Sequence, residues 1–349
     1  VKLLTEVEMP LSGVLAAMEF AGIKIEPAAL ADIGRELEKG IARDQNRIFE
    51  LAGTGFNINS PRQLGQVLFE ELGLRVVKKT KTGYATGAEI LEELYYDHEI
   101  IPHILNYRQL TKLKSTYTDA LQELIHQDTG RVHTIFKQAQ TATGRLSSVE
   151  PNLQNIPIRT ERGRQIRKAF IARDENYTLL SADYSQIELR IIAAMSGEEN
   201  MIAAFKNNED IHKSTAAKVF NVPLDEVTKE QRSNAKTVNF GIVYGISPYG
   251  LAKELDISVA EAEAIIQNFF ASFPGVMKWI QKNFEFAQKN GFVRTLFGRI
   301  RRIPYLKSSD VNLIEQGKRI AINTPVQGTA ADIIKISMVE IFREIKDRS

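Results

Sequence analysis

The sequence predicts an α+β protein, and three observations carry that reading. Apolar residues recur at helical spacing over residues 8–52 and 88–125, which makes the first third mostly helical. Residues 131–136 read as a strand, and residues 177–182 form a short apolar run suited to a buried strand. Helical spacing returns from residue 188 to about residue 288, interrupted at Val222-Pro223, Ser247-Pro248 and Phe273-Pro274, since the residue before a proline disfavours helical backbone.

The connections follow from their residue types. Residues 53–60 are a Gly/Asn-rich loop ahead of a helix starting near Pro61, and residues 78–87 form a basic loop. Lys112 and Lys114 stand in the run Leu110-Thr-Lys-Leu-Lys-Ser-Thr-Tyr117. Residues 141–157, rich in Thr, Ser, Asn and Pro, read as irregular backbone.

A chain of 349 residues with 43% apolar and 25% charged side chains is long enough for two or three globular subdomains and too apolar for disorder. Its formal charge of +2 says nothing about nucleic acid, so any such case rests on local clusters. There are three: Arg159, Arg162, Arg164, Arg167, Lys168 and Arg173; Lys78, Lys79 and Lys81; and Arg294, Arg299, Arg301, Arg302 and Lys307. Several cationic strips are what a duplex-binding protein needs to displace counterions from phosphates. The lack of cysteine excludes disulfides and thiolate metal sites and fits a reducing cytoplasm. No apolar run of membrane-spanning length, signal peptide, H-E-x-x-H motif or G-x-x-x-x-G-K-[ST] loop occurs, which disfavours zinc hydrolysis and P-loop ATPase chemistry.

The most informative segment is Arg232-Ser-Asn-Ala-Lys236-Thr-Val-Asn-Phe240-Gly-Ile-Val-Tyr244-Gly245. Arg, Lys, Phe and Tyr at four-residue steps share one helical stripe about 18 Å long. Two cations suit a triphosphate, Phe240 offers a stacking surface, and Tyr244 can close the base end of a nucleotide pocket. Directly after the expected strand at 177–182 comes Asp183-Tyr-Ser-Gln-Ile-Glu188-Leu-Arg190, where the Asp183 carboxylate could hold Mg²⁺ with water and phosphates. Ser185-Gln-Ile-Glu188 also has capping-box spacing. Small hydroxyls, amides and Arg145 in Thr141-Ala-Thr-Gly-Arg145-Leu-Ser-Ser148, with Gln154 and Asn155 just beyond, suit phosphate and minor-groove contacts. Arg319, Asn323 and Gln327 form another four-residue ladder, bent by Pro325 and running into Gly328-Thr-Ala-Ala-Asp332.

Residues 183–190 and 232–245 closely resemble two signature motifs of family A DNA polymerases. The resemblance covers nearly the whole chain and includes Leu113-Lys-Ser-Thr-Tyr117, residues 141–148 and 151–157, and Gln327-Gly-Thr-Ala-Ala-Asp332, in family order. It implies a right-hand architecture of helical thumb, antiparallel palm sheet and helical fingers. Residues 1–130 would be the N-terminal segment and thumb, 131–208 the palm with the primer-template loop, 209–322 the fingers, and 323–349 a partial return to a palm incomplete at its C-terminus. By the same likeness, Asp183 and the Tyr184 carbonyl would ligate two Mg²⁺ ions. Gln186, Glu188, His212, Arg232, Lys236, Phe240 and Tyr244 would form the dNTP site, with Glu188 crowding the sugar 2′ position and Lys236 donating a proton to pyrophosphate. Lys112, Arg145, Gln154, Asn155, Arg319, Asn323 and Gln327 would contact primer-template DNA.

The implied activity is template-directed DNA synthesis by a cytoplasmic monomer that does not engage membranes. Two departures qualify it. The family's proofreading D-x-E site has no counterpart here, and the His-Asp-Glu motif carrying the second palm carboxylate is expected beyond Ser349. The chain as given is therefore expected to be an incomplete polymerase domain, inactive alone. The alternative is a non-catalytic DNA-binding module.

Overall fold

The computed structural model describes residues 2–346 apart from 82 and 159, so Arg159 of the first basic cluster and the last three positions of the 323–349 segment lie outside the described residues. Short strands alternate with long helices. In chain order these are α1 (Met9–Ala21), β1 (Ile23–Ile25), α2 (Pro27–Ala52), α3 (Pro61–Gln66), β2 (Lys79–Thr80), β3 (Gly83–Tyr84), α4 (Ala88–Glu93), α5 (Ile100–Leu113), α6 (Ala120–Glu123), β4 (Arg131–Val132), β5 (Ile135–Lys137), β6 (Ser147–Val149), α7 (Glu161–Lys168) and β7 (Phe170–Ile171). There follow α8 (Ile187–Ser196), α9 (Glu199–Lys206), α10 (Ile211–Val219), α11 (Lys229–Val243), α12 (Pro248–Leu255), α13 (Val259–Ser272), α14 (Pro274–Asn290), β8 (Phe292–Arg294), β9 (Ile300–Arg302) and α15 (Val311–Lys346).

The chain divides into two compact units. One comprises residues 18–135 and 148–180. Here α2 begins where Pro27 occupies the first turn and the Glu26 carboxylate accepts from the Ala28 amide, and it ends at Gly53 in the left-handed conformation. Leu30 and Leu37 of α2 pack with Leu110, Leu113 and Tyr117 in one core, and Ile48 packs with Leu64, Leu68 and Ile101 in another. The unit's sheet is three-stranded and antiparallel, in the order β4-β1-β7. Its register pairs Lys24 with Arg131 on one side and with Ile171 on the other. The central strand is the three-residue Ile23-Lys-Ile25, which interrupts the helical run expected over 8–52 and is too short to leave a period of its own. The strand expected over 131–136 is likewise split into β4 and β5.

The other unit comprises residues 1–17, 136–147 and 181–349. Its main core joins Leu189, Ile192, Met201, Val238, Ile242, Leu251, Phe269 and Phe273, with Trp279 packed against it. The proline interruptions fall where expected. Ser247 caps α12 ahead of Pro248, and α13 and α14 meet at Phe273-Pro274. Pro325 does not stop α15. The Ala321 carbonyl, which Pro325 has no N–H to satisfy, accepts instead from the Asn283 amide of α14.

Residues 177–182 are not the expected buried strand. They are irregular, and Tyr177, Leu179 and Leu180 are exposed, Leu180 to 91%. Apolar composition alone does not make a strand, which requires a neighbouring ladder of amides and carbonyls, and no described strand pairs with this run.

Candidate nucleotide and nucleic-acid site

The Arg232 stripe is built on α11. A capping box sets its start: the Gln231 amide donates to Thr228 Oγ1 at 3.1 Å, and the Thr228 amide donates to Gln231 Oε1 at 3.0 Å. Ala235, Val238 and Ile242 bury one side of the helix, which leaves Arg232 and Lys236 exposed on the other. Arg232 Nε donates to Asp210 Oδ2 at 2.6 Å. Asp210 also caps α10 by accepting from the His212 and Lys213 amides. Burial opposes the Asp210 charge, but the Arg232 guanidinium and the two amides outweigh it and hold its carboxyl below the ordinary value. Lys236 has no carboxylate within 4.0 Å among the described residues. Half-buried Phe240 lies against the His212 ring, centroids 5.9 Å apart.

Tyr244 caps the C-terminal end of α11 and ties the stripe to the segment after Asp183. Its hydroxyl donates to Glu188 Oε2 at 2.9 Å, and Arg145 Nη2 donates to Glu188 Oε1 at 2.6 Å. Burial and the nearby Glu188 carboxylate raise the Tyr244 phenol above its ordinary value, while a hydrogen bond with Gln327 works the other way. Four sequence-predicted residues, Arg145, Glu188, Tyr244 and Gln327, thus form one polar cluster. Gly245 follows directly in the left-handed region that favours glycine, at φ +69°, and a Cβ there would also lie 3.1 Å from Arg319 Cγ on α15, a tight contact.

The capping-box reading of Glu188 is overturned. Gln186 sits at the start of α8 in the left-handed region, φ 47° and ψ 41°, and no side chain caps the helix. Glu188 is 7% exposed and is turned to Arg145 and Tyr244 instead. Asp183 is exposed in the irregular segment before α8, and the Tyr184 hydroxyl bonds Ser337 Oγ on α15 at 2.6 Å.

Three comparisons bear on this geometry. The pattern of DNA polymerase family A matches residues 27–349. The chain belongs to that family. It is 51% identical to DNA polymerase I of Geobacillus stearothermophilus over 346 residues, covering 99% of this chain and 40% of the relative. It is also 51% identical to the thermostable DNA polymerase I of Thermus aquaticus over 344 residues, covering 98% of this chain and 41% of the relative. A solved structure described as the POL domain of Pol1 from M. smegmatis in complex with DNA primer-template and dNTP superimposes with a TM-score of 0.92 at 43% identity, covering 99% of this chain and 61% of that one. The α+β fold is thus that of a family A polymerase domain. The chain spans about two-fifths of the length of the curated relatives it matches.

The remaining candidates of this family A chain belong to both units. Arg319 is exposed, and Asn323 is half-buried with Oδ1 sealed from solvent and without a partner among the described residues. Lys112 and Asn155, in the unit of residues 18–135 and 148–180, line a cavity of about 440 Å³ with Thr116, Tyr117 and Asn152. Gln154 Oε1 in that unit accepts from the Ser148 amide at 3.2 Å, so it is occupied within its own loop. Among the described residues no group of three or more His, Cys, Asp or Glu side chains is placed to hold a metal ion. Also among them, no helix is long and apolar enough to cross a membrane.

Sequence reasoning missed Asp210, Thr215 and Asn239 near the stripe. Asp210 had a signal, an N-cap residue ahead of a helix. Buried Thr215 and Asn239 looked like ordinary helical polar residues. It also missed a buried network in which Asp332 accepts from Thr295 Oγ1 at 2.7 Å and Arg299 Nε at 2.8 Å, while Glu8 accepts from Arg299, Gln138 and Lys335. Arg299, read as part of a cationic strip for DNA, is committed to these two carboxylates.

Proposed function

We propose that this chain is the polymerase segment of a DNA-directed DNA polymerase, which adds deoxynucleotides from dNTPs to a primer 3′-hydroxyl. The observation that carries the reading is the α11 stripe, with Arg232 and Lys236 exposed, Phe240 on His212, and Tyr244 bonded to Glu188 in the Asp183 motif. The similarity to polymerase I relatives, and to a polymerase domain described with primer-template and dNTP, supports it. Arg232, Lys236 and His212 would meet the triphosphate, which concentrates negative charge where the stripe concentrates donors. Phe240, Tyr244 and Glu188 would frame the sugar and base, with Gln186 at the motif's turn. Arg145, Gln327, Asn323 and Arg319, together with Lys112, Gln154 and Asn155, would contact primer-template DNA. Residues 1–130, 131–208, 209–322 and 323–349 would serve as thumb, palm, fingers and return to the palm, in a cytoplasmic monomer.

Asp183 with the Tyr184 carbonyl would contribute to a divalent-metal site, as the family's chemistry implies, with Mg²⁺ the expected ion. One carboxylate and one carbonyl are too small a donor set for two hard cations, so these residues do not by themselves make up the site. When bound, such ions activate the attacking hydroxyl and stabilise the leaving oxygen.

The test is Asp183→Asn in a polymerase containing this segment. Nucleotide incorporation should be abolished while primer-template affinity stays within a few-fold of the parent. Equal incorporation by variant and parent would sink the assignment. Tight DNA binding by a parent that adds no dNTP would favour a non-catalytic binding module.

A further inference from the structure

Thr215, Asn239 and His212 form a chain of hydrogen bonds inside the unit that carries α11. Thr215 Oγ1 donates to Asn239 Oδ1 at 3.1 Å, and Asn239 Nδ2 lies 3.0 Å from His212 Nδ1. Thr215 and Asn239 are fully buried, and His212 is 3% exposed. With Oδ1 turned to the threonine hydroxyl, the amide presents N–H to the ring, so Nδ1 must accept and the single proton of a neutral imidazole resides on Nε2. Nε2 has no protein partner among the described residues.

We propose that Asn239, held by Thr215, is a positioning residue that locks His212 in its neutral Nε2–H form, making the ring a hydrogen-bond donor to phosphate oxygens of the incoming triphosphate. The proposal rests on the reading of Arg232 and Lys236 as triphosphate ligands. The opposite tautomer would turn a lone pair toward anionic oxygens. An imidazolium would stand as a third cation beside Arg232 and Lys236 whenever the site is empty. The surrounding charges are consistent with a neutral ring: burial lowers its basicity first, Arg232 and Lys236 act in the same direction, and Asp210 opposes them. Contact with Phe240, ring planes at 42°, fixes the plane in which Nε2–H points.

The test begins with the unaltered chain, labelled with ¹⁵N-histidine, with His212→Gln assigning the resonance. The expected result is a neutral Nε2–H tautomer from pH 8 down to pH 6. Asn239→Asp reverses the bond, since a carboxylate can only accept from Nδ1–H, and should raise the His212 pKa. Affinity for dATP with Mg²⁺ should then be about tenfold weaker than parent at pH 8 and recover toward pH 6, where the ring is doubly protonated, whereas the parent stays flat. Thr215→Val, which removes only the hydroxyl donor, should give a mixture of tautomers and decides the matter if Asn239→Asp does not fold. An Nδ1–H tautomer in the parent, or a folded Asn239→Asp variant with the parent's tautomer and pH profile, would overturn the proposal. Its failure is distinguishable from failure of the reading beneath it, because Lys236→Ala with unchanged dATP affinity would overturn the triphosphate assignment without any reference to the tautomer.

Discussion

Lys335→Met should destabilise the unit containing α15 by about 3 kcal/mol. The Lys335 side chain is 1% exposed, and its ammonium reaches Glu8 Oε1 at 2.9 Å, Glu8 Oε2 at 3.1 Å and the Gln138 carbonyl at 3.4 Å. Two carboxylates, Glu8 and Asp332, are balanced there by two cations, Arg299 and Lys335. Methionine keeps the buried stem, so little cavity is made, but it leaves one negative charge in excess. Removing one partner of a buried ion pair costs roughly 3–5 kcal/mol, and the lower end applies because Arg299 still holds Glu8. Glu8→Gln alone should cost a similar amount by leaving an excess cation. The double variant restores neutrality and should cost about 2 kcal/mol less than the sum of the singles. The single tryptophan, Trp279, packs against this unit's core, so its fluorescence during urea unfolding reports the right unit. A shift of about 1 M in the Lys335→Met midpoint is expected from ordinary urea slopes. Single variants with unchanged midpoints, or strict additivity, would refute the reasoning.

Acid should weaken the same unit. Burial opposes ionisation of Glu8, but hydrogen bonds from Arg299, Gln138 and Lys335 outweigh it and place its folded-state pKa below the ordinary 4.5. Its contribution is therefore complete above about pH 4.5 and lost as pH falls through the lowered folded value, and Glu8→Gln should flatten that limb of the Trp279-monitored midpoint. Gly163→Ala in α7 should cost about 1–3 kcal/mol, since a Cβ would lie 2.5 Å from Pro157 Cβ and 2.8 Å from its backbone oxygen, and circular dichroism melts that match the parent would contradict it. Lys236→Ala should weaken dNTP affinity about tenfold or more by removing a phosphate-facing cation, and a titration within a few-fold of parent would mark Lys236 as an ordinary surface residue.

Long-period features were readable without coordinates. The four-residue step of Arg232, Lys236, Phe240 and Tyr244 survives folding because helix geometry is local, and the breaks at Pro248 and Pro274 follow from the covalent geometry of proline. The family was legible for a similar reason, since its motifs are contiguous runs. Failures came where an outcome depends on distant partners. Residues 177–182 had strand composition but no described strand to pair with, while the three residues of β1 became a central strand because β4 and β7 flank them. Glu188 had capping spacing, yet Arg145 and Tyr244, 43 and 56 positions away, claimed its carboxylate. Arg299 looked like a surface cation until Glu8 and Asp332, 291 and 33 positions away, enclosed it. Helix periods, proline breaks and contiguous motifs are set by neighbouring covalent geometry, whereas a charged side chain's partner is chosen by desolvation, which exists only once distant segments have packed around it.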